Sequence, residues 1–154
     1  MSDWIDKYLY DYQEQAQQQE NRRQALYALG QRYWESLGAV IRRDATKLNA
    51  KAMSLLKSEI EINKRSLVPT SDELNVDRLA FPAIRLTIRL DLHAESIKIT
   101  QSRKETPESD YDESTERLQL DVSREGQLVI KDANGKRLTI EEVSQYILGR
   151  FLKE

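Results

Sequence analysis

Cysteine is absent from this 154-residue chain, and histidine occurs once, at His93. The first absence excludes a disulfide scaffold, a thiolate metal site and a thiol nucleophile. The second excludes any chemistry that needs two imidazoles in one chain. No apolar run approaches the ~18 residues of a membrane span. The opening Met1-Ser2-Asp3-Trp4-Ile5-Asp6 carries acid where a secretory leader carries base ahead of an apolar core. A cytoplasmic location without membrane attachment is therefore expected. An excess of one charge is missing too: 24 Lys+Arg face 26 Asp+Glu, for a net charge of -2. That balance excludes a histone-like polycation. The 39% apolar content argues against global disorder and suffices for a hydrophobic core.

Helix breakers are scarce and unevenly placed. All three prolines (Pro69, Pro82, Pro107) follow residue 68, and only Gly30 and Gly38 interrupt the stretch before it. The chain thus divides into a helical segment, 1–56, and a strand-rich remainder, 57–154, which folds with it as one domain. Trp4, Ile5, Tyr8, Leu9 and Tyr12 recur at helical spacing. A glutamine-rich interval follows, 13–20, and reads as solvated helix. Leu26, Leu29, Tyr33, Leu37, Val40, Ile41, Leu48, Ala52 and Leu55 then make an amphipathic stripe, with Asp44 interrupting it.

A single helix over 3–56 would be roughly 80 Å long, wider than a domain of this size. It either breaks, with Gly30 as the expected place, or projects at its front end. A front end folded back would make its aromatics ordinary core. A projecting one would expose Trp4, Ile5, Tyr8, Leu9 and Tyr12 as a patch that calls for a partner, and a second copy in a closed two-fold dimer is the simplest.

The remainder alternates at period two. Residues 58–66 read as a strand, 69–78 as a polar linker. Ile84, Leu86, Ile88, Leu90 and Leu92 form the clearest strand, interleaved with Arg85, Thr87, Arg89, Asp91 and His93. Ile97 and Ile99, then Leu118, Leu120 and Val122, then Leu128 and Ile130 continue a meander of four to five antiparallel strands. Thr139-Ile140-Glu141-Glu142 is a capping box after the Asn134-Gly135 turn. It opens a short helix carrying Val143, Ile147 and Phe151 on one face. The expected class is α+β: a long N-terminal helix, the meander sheet, and a C-terminal helix packed on one sheet face.

Candidate chemistry is sparse. Arg85, Arg89 and Lys98, with His93 nearby, mark a basic patch on the open sheet face suited to phosphate or carboxylate. The ordinary reading is a solvated sheet face, and no aromatic interleaves these cations as in RNA-binding sheets. Residues 104–117 read as an acidic loop; a weak divalent site at Asp110 and Asp112 fails the calcium-loop pattern. His93 lacks a recognisable nucleophile or second acid, and no phosphate loop or metal-binding His pair occurs. No motif of a known family stands out. The reading is a non-enzymatic protein–protein interaction or dimerisation module without cofactor or metal, its partner itself or another protein. Its alternative is a binder of an anionic ligand through the basic sheet face, with nucleic acid disfavoured.

Overall fold

A computed structural model describes residues 3–64 and 72–152. Helix α1 runs unbroken over Asp3–Lys51, and a single turn, α2, follows at Met53–Leu56. Seven strands come next: β1 (Ile60–Ile62), β2 (Glu73–Arg78), β3 (Ala83–Asp91), β4 (Ser96–Lys104), β5 (Asp112–Val122), β6 (Leu128–Lys131) and β7 (Arg137–Leu138). Helix α3 (Ile140–Leu148) and a 3-10 turn (Gly149–Phe151) close the described chain. The strands lie in one curled sheet in sequence order, every neighbouring pair antiparallel.

The α+β class and the meander stand; four sequence expectations need correction. Gly30 does not break the helix. It is buried, and a Cβ there would come 2.6 Å from Leu92 Cδ2, so the missing side chain lets α1 pass over the β3–β4 turn. Among the described residues the sheet has seven strands in place of four to five. The described part of the expected 69–78 linker is mostly β2, buried along its length; residues 69–71 lie outside the described residues. Its polar look misleads because the polar groups have partners inside the fold. Arg78, 3% exposed, donates from Nη1 to the Phe151 carbonyl and from Nη2 to that of Pro82, both at 2.6 Å. Finally, the acidic 104–117 stretch is a loop only in part: β4 reaches Lys104 and β5 starts at Asp112, so half of it is strand and 105–111 form the connection.

Alternation explains the core. Ile84, Leu86, Ile88 and Leu90 of β3 face inward beside Ile97 and Ile99 of β4, Leu118 and Leu120 of β5, and Ile130 of β6. Leu26, Trp34, Leu37, Ile41 and Ala45 of α1 and Val143, Ile147, Leu148 and Phe151 join the same cluster. Trp34 and Leu56 occupy core places that the periodicity gave to Tyr33, which packs at its margin, and to Leu55, which is exposed. Asp44, the apparent flaw in the stripe, accepts from the Ser144 hydroxyl at 2.7 Å and joins α1 to α3.

The capping box forms as read. Thr139 Oγ1 accepts from the Glu142 amide at 3.1 Å, and Glu142 Oε1 accepts from the Thr139 amide at 3.2 Å. Thr139→Ala is expected to lower unfolding free energy by about 1 kcal/mol in a urea titration. Arg78→Met, which strands two buried carbonyls, is expected to cost about 2–4 kcal/mol in the same measurement. An Arg78→Met chain as stable as the parent would show that those carbonyls find other donors.

Candidate functional site

Three surfaces gather chemistry. The first is the front of α1. Forty-nine residues at 1.5 Å each give a rod of about 74 Å. Only its rear half rests on the sheet, and every residue from Asp3 to Asn21 is exposed. Trp4 is 72% exposed, Tyr8 65% and Tyr12 64%, with Ile5 and Leu9 also open. Tyr8 lies about five whole turns before the core residue Leu26. The aromatic stripe therefore continues the face that packs on the sheet, past the point where the sheet ends.

A clamp fixes the direction in which the rod leaves. Arg22 Nη1 bonds Glu95 Oε1 at 2.7 Å in the β3–β4 turn, and Nη2 bonds Asp121 Oδ1 at 2.8 Å on β5. The Arg22 hydrogen bond holds the Asp121 carboxyl below its ordinary range, with the Val122 amide and Lys131 assisting against desolvation.

The second surface is the outer sheet face, where registers sort the expected patch residues. Arg89 lies directly across from Lys98, and Lys98 from Arg117. Thr87, Thr100 and Thr115 form the adjacent row. Arg85 is not part of this group. It stands about 13 Å from Arg89 along β3 and lies over the Tyr111 ring at 5.1 Å, with Lys104 over the same ring at 5.2 Å. The face thus does carry an aromatic, but away from Arg89 and Lys98. His93 is exposed in the β3–β4 turn and lines none of the clefts described here. Strand pairing joins Arg89 to Lys98 and leaves Arg85 and His93 apart from them, and no local sequence pattern shows it.

The third surface is a polar cleft of about 530 Å³ between α3 and the sheet. It arises because the inward positions of β4 and β5 turn polar beyond the core, at Gln101 and Glu116. Glu116 accepts hydrogen bonds from the Tyr146 hydroxyl and, at 3.1 Å, from Arg150 Nη2. Burial resists ionisation of Glu116, but these two partners outweigh it and hold the carboxyl below its usual range. The Tyr146 hydroxyl is pushed up, by burial first and then by its bond to Glu116. Arg150 also reaches Gln101 Oε1 at 3.2 Å and stacks on Tyr146. Their partners are one another, so the cluster ties α3 to the sheet.

Among the described residues, no group of three His, Asp or Glu side chains is placed to hold a metal ion, Asp110 and Asp112 included. No helix among them is long and apolar enough to cross a membrane. Comparison with family models, curated proteins and solved structures finds no match.

The clamp has a pH signature. Asp121 has a lower pKa folded than unfolded, so its contribution is complete above the ordinary carboxylate pKa and is lost as pH falls through the folded value. The stability difference between the parent chain and Asp121→Asn is expected to be constant over about pH 5–8 and to shrink below about pH 4 in urea titrations. A difference that persists undiminished into acid would remove the carboxylate from the account.

Proposed function

We propose that this chain is a non-enzymatic interaction module that pairs with a second copy of itself through the front of α1. The observation carrying this reading is the aromatic stripe held clear of the domain in phase with the core face. A monomer gains nothing by ordering Trp4, Tyr8 and Tyr12 along one line in water, whereas burying them is worth several kcal/mol.

A second copy is favoured on two grounds. A two-fold axis near residues 8 and 9 would lay two such helices antiparallel, setting Tyr8 beside Leu9 and Ile5 beside Tyr12 of the other copy. The patch is then its own complement, as an isologous interface requires. Area supports it as well. Each ring can bury about 150 Å², so three from each copy supply about 900 Å², and Ile5 and Leu9 lift the total past the ~1,000 Å² of a specific interface.

Sedimentation equilibrium of the full chain tests the reading. The parent is expected to be dimeric. Trp4→Ala should weaken pairing about 30-fold or more, the loss of one aromatic anchor of ~2 kcal/mol, and Trp4→Ser with Tyr8→Ser should be monomeric with an unchanged circular-dichroism melting curve for the sheet domain. A parent chain that stays monomeric at high concentration, or a double variant that still dimerises, would refute it.

A further inference from the structure

We propose that the outer sheet face carries a binding site for a small phosphate-bearing ligand at the cross-strand square formed by Thr87, Arg89, Lys98 and Thr100. The site is independent of the front helix.

The argument starts from a cost. Arg89, Lys98 and Arg117 sit abreast on three adjacent strands, each directly opposed to the next. Like charges in directly opposed positions work against sheet formation. The two outer members are compensated. Arg89 pairs with Glu73 at 3.5 Å, while Arg117 pairs with Asp91 at 3.2 Å and bonds the Ser96 hydroxyl at 2.7 Å. The middle ammonium, Lys98, has no carboxylate within reach among the described residues. It is flanked by cations on both sides and half-buried between them. The fold tolerates an uncompensated positive centre that a bound anion would relieve.

The surroundings suit an oxyanion. Thr87, Arg89, Lys98 and Thr100 line a depression of about 240 Å³. The Thr87 hydroxyl donates to Asn75 Oδ1 at 3.2 Å, which fixes that side of the floor. The Thr100 side chain makes no hydrogen bond among the described residues, so its hydroxyl can donate. The side chains of Lys98 and Thr100, neither with a polar partner among the described residues, therefore line one small space beside Arg89, whose guanidinium keeps donors beyond the one that faces Glu73. A phosphate group brings several acceptor oxygens and a charge of about -1.5 to -2 at neutral pH, and a guanidinium binds it through two parallel bonds. No ring lines the square, so nothing there stacks on a base. The recognised element is the phosphate itself, with whatever small group it esterifies left in solvent.

An NMR titration of the full chain with inorganic phosphate, at ionic strength held constant with sodium chloride, tests this. Saturable amide shifts are expected at Thr87, Arg89, Lys98 and Thr100, with a Kd on the order of millimolar. Lys98→Met should weaken binding at least tenfold while melting at or above the parent temperature in phosphate-free buffer, since it removes an uncompensated charge. Thr100→Val should weaken it several-fold. Arg85→Met should leave it unchanged. Phenyl phosphate binding more tightly than inorganic phosphate supports the site with an ester as its ligand; the reverse order supports it with the free ion. The proposal is overturned by shifts scattered over all basic residues, by equal affinity in Lys98→Met, or by an equal response to acetate. The Trp4→Ser, Tyr8→Ser chain should bind phosphate as the parent does, so this site and the pairing surface stand or fall separately.

Discussion

The rest of the structure depends on the packing of the rear half of α1 across the inner face of the sheet. Leu26, Trp34, Leu37, Ile41 and Ala45 bury one helix face against Ile88, Leu90, Ile97, Leu118 and Leu120 in a single cluster. This contact permits one helix of 49 residues, because a helix that long is held by tertiary burial more than by its own propensity. Gly30 serves the same contact. A side chain there would collide with Leu92, so the residue that most suggests a break is the one that lets the unbroken helix lie close to the β3–β4 turn.

From that anchoring comes the asymmetry of the molecule. The sheet ends near the β3–β4 turn, the helix does not, and Arg22 pins it where the support stops. The aromatic residues beyond keep the phase of the buried stripe because helical periodicity ignores where the sheet ends. A face with the pattern of a buried one is thereby carried into solvent, with Trp4, Tyr8 and Tyr12 exposed along it.

The meander separates two chemistries. Inward positions are apolar until β4 and β5 run past α3, where Gln101, Glu116, Tyr146 and Arg150 close the end of the core with a polar cluster. Outward positions are mostly polar, with Val129 and Ala83 as exceptions, and their meaning lies in rows across strands. Along β3 alone, Arg85 and Arg89 look equivalent. Across strands, one stacks on Tyr111 and the other joins Lys98. The segment from Glu73 to Arg78 teaches a related lesson. Its Asn75, Asp77 and Arg78 suggest exposure, yet all three are buried: Asn75 and Asp77 on the outer face across from Thr87 and Arg85, and Arg78 on the inner face, where the Phe151 carbonyl, distant in sequence, receives it.

Read alone, the sequence determined what local periodicity and local hydrogen bonding control: the helical first third, the alternating strands centred on Ile84–Leu92 and Leu118–Val122, and the Thr139–Glu142 cap. Each rests on residues within a few positions of one another, where backbone geometry dictates which side chains meet. Tertiary structure alone decided the continuity of α1 through Gly30, the existence of β2 and β7, and the row that brings Arg89, Lys98 and Arg117 abreast. Those features rest on contacts between segments far apart in the chain, and a one-dimensional pattern holds no record of which distant residue will stand opposite.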